Sequence, residues 1–349
     1  MGSIPARTST PADAPEHTRH VIDDPRLPAQ IPAGQPLLQV VVDTEEEFDW
    51  HAPFNRASTT VSNIAAQHLG QAIFAPLGLR PTYVIDYPVA ATPEAAATLA
   101  AFVHAGQALV GTHLHPWVTP PHSEAVTAFN SYAGNLPAEL EYAKLATMTE
   151  TIEAGFGIRP RIFKAGRYGL GPHTGASLRA LGYSIDLSAL PFTNLGADGG
   201  PDFRGWPAAP FWAGGVDDLF CIPMTRGFSG RLRGPRLYSA AMSKQGRRLR
   251  LPGLLARAGL CERATLTPEG VDFPAHKRLL RAMLEDGHRV FTLSYHSPSL
   301  VPGHTPYVRS IAERDAFLDH LRRLADFILG DLNARPTTPI ELRALASTV

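Results

Sequence analysis

Residues 37 to 50 read LLQVVVDTEEEFDW: a run that is apolar except for Gln39, then Asp43, Thr44 and three glutamates. A short run of this kind, bounded by charge, is the pattern of a strand buried on both faces, and such strands belong to parallel sheets covered by helices. Successive side chains on extended backbone alternate sides, so Asp43 and Glu45 are expected to project to one side. The chain outward from this stretch repeats the pattern. Strand-like runs occur at PTYVID (81–86), QALVGTH (107–113), RIFKA (161–165), YSIDL (183–187), DLFCIP (218–223) and HRVFTLSY (288–295).

Helical patterns alternate with these runs. One passes through Ile64, Leu69 and Ile73, another runs from Pro93 to His104, and a third from Pro137 carries Leu145, Met148 and Ile152 on one face. Further helices are predicted at His173 to Leu181, at Pro274 to Asp286, and through Phe317, Leu321, Leu324 and Ile328. Such alternation forces parallel strands joined by crossover helices. The expected fold class is α/β, a distorted (β/α) barrel of about seven units in one domain spanning residues 36 to 349. Residues 190 to 273 break the pattern with a long Gly/Pro/aromatic loop and a hairpin, and are read as an insertion. Residues 1 to 35 are rich in Pro, Ala and Thr without apolar period, and are read as a disordered or loosely packed arm.

Composition narrows the function. Lys+Arg and Asp+Glu are both 32, so the formal charge is zero and nothing in bulk calls for nucleic acid. Two cysteines, Cys221 and Cys261, are too few for a disulfide framework or a thiolate zinc site. No window approaches a membrane span and the first residues lack the apolar core of a signal peptide, so a cytoplasmic protein is expected. Oligomeric state is not legible.

Ionisable residues stand at the ends of the apolar runs: Asp43 and Glu45, His113 and His115, Lys164 and Arg167, Asp186, and His296. His113 and His115 alternate as Asp43 and Glu45 do, so two carboxylates and two imidazoles can converge. Crowding two carboxylates is costly unless a cation or proton compensates, which favours a divalent metal and a metal-assisted hydrolase. The GxSxG elbow, the Walker loop and paired CxxC motifs are absent.

The segments VVVDTEEEFDW, GTHLHPWVTPP, FKAGRYGLGPHT, GYSIDLSALPF and FTLSYHSPSLVPGHTPYVRS, taken in this order, resemble the polysaccharide deacetylases of the NodB-homology superfamily (carbohydrate esterase family 4), most closely their WalW-like branch. The resemblance covers roughly residues 37 to 330. It implies a hydrolase that removes an N-acetyl group from a saccharide or glycan intermediate, with a divalent metal, zinc expected, held by Glu45, His113 and His115. It also implies Asp43 as general base and His296 as the acid for the leaving amine, with Asp186 tuning His296. Tyr168 would offer its backbone N–H to the acyl oxygen. Arg167 is preferred as the cation that orients the base because its planar fork is bidentate, although Lys164 is the positional match. This sequence departs from the family in its Asp-x-Glu spacing and in having only Leu114 between the two histidines.

Trp117, Trp206, Trp212 and Phe211 are candidate sugar-stacking residues, with Trp117 and Lys164 assigned to the substrate. The run Arg226, Arg231, Arg233, Arg236, Lys244, Arg247, Arg248 and Arg250 concentrates positive charge. It is read as either a solvated loop or a surface for a nucleotide diphosphate or lipid-pyrophosphate handle. Another C–N hydrolase, acting on a cyclic amide or ureide, and a non-catalytic carbohydrate binder are the competing functions.

Overall fold

The structure, a computed structural model, describes residues 26 to 347. The strands are β1 (Arg26–Pro28), β2 (Leu37–Thr44), β3 (Thr82–Ile85), β4 (Leu109–Leu114), β5 (Ile162–Ala165), β6 (Ile185–Asp186), β7 (Phe211–Ala213), β8 (Leu219–Cys221), β9 (Arg226–Ser229), β10 (Glu262–Thr265), β11 (Val290–His296) and β12 (Arg335–Pro336). The helices are α1 (Gln67–Phe74), α2 (Tyr87–Ala91), α3 (Pro93–His104), α4 (Ala138–Phe156), α5 (Thr174–Ala180), α6 (Pro235–Ala241), α7 (Lys244–Arg248), α8 (Leu251–Arg257), α9 (Phe273–Glu285), α10 (Ile311–Asp326) and α11 (Pro339–Ser347). No described helix is long and apolar enough to cross a membrane.

The fold is mixed α/β around a central parallel sheet ordered β1-β7-β8-β6-β5-β4-β3-β2-β11, with β12 against the start of β2. From β11 through β2, β3, β4, β5 and β6 to β8 every pairing is parallel; β7 and β1 then add antiparallel. All eight residues of β2 are buried, as its apolar run requires. Alternation along the strand sorts them: Leu38, Val40 and Val42 join the large core packed with helices, whereas Leu37 and Val41 join an inner cluster with Val84, Ile162, Ile185 and Phe220. Leu342 and Ala346 of α11 belong to that inner cluster. Asp43 follows Leu37, Gln39 and Val41 on the inward side, so the residue that ends the stack is ionisable.

The helices behave as their patterns predict. α4 buries Leu145, Met148, Ile152 and Phe156 and ends at Gly157, whose φ of 66° supplies the left-handed stop. α9 and α10 start on side-chain caps, with Asp272 accepting from the Ala275 N–H and Ser310 from the Glu313 N–H. The helix predicted through Ile64 to Ile73 is a 3₁₀ turn at Ser62–Ala66 running into α1.

Three expectations differ from the structure. The sheet does not close into a ring among the described residues. After β8 the chain leaves the sheet for the β9–β10 hairpin, and the open edge of β11 is met not by a strand but by three separate bonds: Thr292 N–H to the Thr225 hydroxyl, Ser294 N–H to the Leu266 carbonyl and His296 N–H to Glu269 Oε1. The stretch read as an insertion also supplies two strands of the main sheet, β7 and β8. Arg26–Pro28, inside the stretch read as an arm, pairs with β7; residues 1 to 25 lie outside the described residues.

Candidate metal centre

Parallel strands deliver their carboxyl ends to one edge of the sheet, where loops are free to carry chemistry. In register, His296 lies beside Asp43, and His113 beside Lys164. The next alternation past β2 and β4 brings in Glu45 and His115. The Nε2 atoms of His113 and His115 stand 3.6 and 3.5 Å from Glu45 Oε2. Possible ligand atoms from these three buried residues all lie within 4.8 Å of one another.

The outer nitrogens fix the tautomers. His113 Nδ1–H donates to the Lys164 carbonyl at 3.0 Å, and His115 Nδ1–H to Glu46 Oε2 at 2.7 Å, which leaves both Nε2 lone pairs facing Glu45. Burial lowers the pKa of both imidazoles, that of His113 well below its usual value, so they are neutral as metal ligands must be. Burial likewise lifts Glu45 to about 7, with nearby His296 and His115 opposing. Glu45 Oε1 and Asp43 Oδ1 are buried and meet no hydrogen-bond partner among the described residues. Two imidazoles and a carboxylate, with unmatched buried negative oxygen, fit a divalent cation and can hold one.

Two ion pairs flank this cluster. Lys164 Nζ contacts Asp43 Oδ2. Burial alone would raise Asp43, but Lys164, His113 and His296 outweigh it and hold the carboxyl at about 2. His296 Nδ1–H donates to Glu269 Oε2 at 2.7 Å, its backbone N–H donates to Oε1 at 3.0 Å, and its Nε2 lies 3.6 Å from Asp43 Oδ2. Burial works against charge on His296, yet Glu269, followed by Glu45, raises its pKa well above the usual value. One side therefore presents a carboxylate held by a cation, the other an imidazolium held by a carboxylate.

A cavity of about 440 Å³ opens over these groups. Its walls are aromatic, including Phe48, Trp50, Phe54, Tyr132, Tyr168 and Tyr307. Trp50 meets the His296 ring edge-on, with centroids 5.1 Å apart.

Asp43, Glu45, His113, His115, Lys164 and His296 converge, while six other candidates, Asp186, Arg167, Trp117, Trp206, Trp212 and Phe211, are placed differently from expectation. Asp186 does not face His296: its Oδ1 accepts from Ser188 N–H and Oγ–H, and Ser188 Oγ in turn accepts from the Ala165 N–H. The carboxylate on His296 is Glu269. Arg167 does not orient Asp43, because its guanidinium is taken by Ser131 and Asp198 and lies 4.1 Å from the Tyr132 ring centroid; Lys164 makes that contact. Tyr168 lies at the rim with its ring 4.9 Å from Lys164 Nζ, and both Arg167 and Tyr168 adopt left-handed backbone. Trp117 is not a free stacking face: it donates to Glu46 Oε1 at 2.7 Å and is stacked on His115 and Phe54 with centroids 4.3 Å away in each case. Trp206, Trp212 and Phe211 are core residues.

Three residues were missed. Glu46 was hidden within a run of glutamates, Asp86 ends the strand-like run PTYVID and anchors the Glu46 N–H at 2.6 Å, and Glu269 sits in TPEG, where no pattern marks it.

No protein-family profile and no curated protein matches this sequence. Among solved structures, PuuE allantoinase aligns over 97% of this chain and 99% of its own, with 14% identity and a TM-score of 0.56. This is a likeness of fold. A Mycobacterium smegmatis protein assigned as a polysaccharide deacetylase aligns over 90% of this chain and 97% of its own, at 17% identity and a TM-score of 0.46. A CE4 family pseudoenzyme from Bacillus anthracis aligns over 46% of this chain and 45% of its own, at 11% identity and a TM-score of 0.32.

Proposed function

We propose that this chain is a metal-dependent hydrolase that removes an N-acetyl group from a saccharide or glycan intermediate. The observation that carries the proposal is the convergence of Glu45, His113 and His115 beneath a pocket flanked by Asp43 with Lys164 on one side and His296 with Glu269 on the other. Glu45, His113 and His115 would hold the ion, and zinc is the ion proposed for this donor set. A divalent cation held there would supply Lewis acidity for polarising a carbonyl and acidifying water.

The chain's own groups divide the proton work. Asp43, held at about 2, is ionised through the neutral range and is the proposed acceptor of the attacking water's proton. Lys164 keeps Asp43 ionised and in place. His296, charged through Glu269, gives its Nε2 proton to the departing amine. The Tyr168 N–H, at the rim, is the proposed donor to the acyl oxygen. The aromatic walls exclude water and offer faces to a sugar ring.

Ring opening of a cyclic amide or ureide is the second reading, favoured by the full-length likeness to an allantoinase. Incubating the zinc-loaded chain with N-acetylglucosamine oligomers and, separately, with allantoin tells them apart. Acetate release is expected from the first, and Asp43→Asn is expected to abolish it while retaining metal. Ureide opening without acetate release would move the assignment to the second reading, and glycan binding with turnover of neither would make the chain a binder.

A further inference from the structure

A second cavity, about 840 Å³ against about 440 Å³ for the first, lies on the far side of the loop at residues 192 to 197. Leu195 of that loop lines the first cavity, while Phe192, Thr193, Asn194 and Ala197 line the second, so one short segment separates them. Four guanidiniums line the second cavity, those of Arg204, Arg236, Arg247 and Arg263, and no carboxylate does.

Three of these four charges have no carboxylate partner among the described residues, whereas several other arginines do. Arg80, Arg159, Arg278 and Arg309 each sit on a carboxylate, and in the arginine-rich stretch Arg233 is engaged by Glu285 and Asp286. Arg204 is paired with Asp202. Among the described residues no carboxylate lies within ion-pair distance of Arg236, Arg247 or Arg263; Arg263 is held by the Phe192 carbonyl at 2.7 Å and lies 4.7 Å from the Tyr238 ring centroid. Half-buried Arg226, bonded to Thr193 and Thr265, adds a fifth charge behind the wall. Burial, together with the like charge of Arg263, lowers its pKa to about 10. Phe192 itself has a left-handed φ of 61°, a strained backbone state that clusters at ligand sites. Gathering like charges without a counter-charge is unfavourable unless an anion supplies it, and planar guanidiniums match phosphate oxygens in bidentate geometry.

We propose that the second cavity is a subsite for an organic diphosphate, the handle of a substrate whose N-acetylated portion enters the metal pocket across the 192–197 loop. The link to the substrate rests on the function proposed above; the diphosphate subsite itself does not. Several positive charges and a Tyr238 wall fit a diphosphate attached to an organic group better than a single carboxylate. The organic group is a nucleoside or an isoprenoid chain, and the test separates these.

Calorimetric titration of the full metal-free chain uses inorganic pyrophosphate, uridine diphosphate and geranyl diphosphate as probes, at low salt and at 150 mM salt, roughly the physiological level. Saturable binding is expected, at least tenfold weaker in the Arg236→Ala/Arg247→Ala double variant. The Arg236→Lys/Arg247→Lys variant, which keeps charge but loses the fork, should lie between. Both positions are exposed, and an unchanged thermal melt confirms the fold. The tighter of the two organic probes names the handle; equal binding of all three leaves the diphosphate alone as the recognised group. No binding of any probe, or binding that the double alanine variant leaves intact, overturns the proposal. In the metal-loaded chain, the double variant is expected to raise KM for a diphosphate-linked N-acetyl sugar and leave the free sugar unchanged. Acetate from neither sugar, with pyrophosphate binding intact, would refute the deacetylase function and not the subsite.

Discussion

Glu46 receives the Nδ1–H of His115 and the indole N–H of Trp117 on its two oxygens. A carboxylate behind a ligating imidazole fixes the ring and raises its basicity, and losing one costs about 10- to 100-fold in metal affinity. Glu46→Gln is therefore expected to weaken zinc binding by that factor in a chelator competition, with little change in the thermal melt of the metal-free chain. A second consequence follows from Glu45, lifted by burial to about 7 from the usual 4.5. Between these values the folded metal-free chain keeps a proton that the unfolded chain has released, so this group's contribution to stability is present below pH 4.5 and lost as pH rises through 7. A cation needs the carboxylate, so it binds with proton release below pH 7 and removes the penalty above it. The rise in Tm on adding zinc should be larger at about pH 8 than at about pH 5.5; a pH-independent rise would contradict this assignment of Glu45. Asp43, Glu45, His113, His115 and His296 were legible because alternation at strand ends sends their side chains to one side. Glu269 was not, since its role depends on a loop that meets β11 only through tertiary packing, and Arg167 was misassigned because spacing cannot tell which of two nearby cations faces inward.

At the scale of elements, the site depends on β4 and β5 coming close at their ends. A Cβ on Gly166 would lie 2.4 Å from His115 Cδ2 and 2.5 Å from the Leu114 carbonyl, so the position tolerates no side chain without moving the His115 ring. Gly166→Ala is expected to abolish stoichiometric metal binding while far-UV circular dichroism stays native; retained binding would show that the β4 end yields freely. The caps are separable from the chemistry. Asp272→Ala, which removes the cap of α9, should cost about 1 kcal/mol in urea unfolding without altering metal affinity. Helix patterns and caps were the most legible features, since α4, α9 and α10 carry their apolar faces and stop signals locally. The two-residue β6 and three-residue β7 and β8 are too short for periodicity to show which sheet they join.

For the whole molecule, the open seam beside β11 is the feature that no local pattern encodes. Parallel alternation predicts the strands, but closure depends on where the chain goes after β8, and it goes into a hairpin. Thr225 bridges the gap by accepting the Thr292 N–H at 2.7 Å. Thr225→Val keeps the shape and leaves that buried N–H unmatched, so a loss of about 1–3 kcal/mol in unfolding free energy is expected; a loss near zero would mean the seam carries no share of stability. The arrangement across the sheet has one purpose in this account, which is to hold a single cation between β2 and β4. The most direct test is metal content after zinc loading and desalting, measured by elemental analysis in the wild type and in Glu45→Ala, His113→Ala and His115→Ala. The account predicts one zinc per chain in the wild type and less than a tenth of that in each variant, with native circular dichroism throughout. Stoichiometric zinc that survives all three substitutions, or a wild type that retains none, would contradict it.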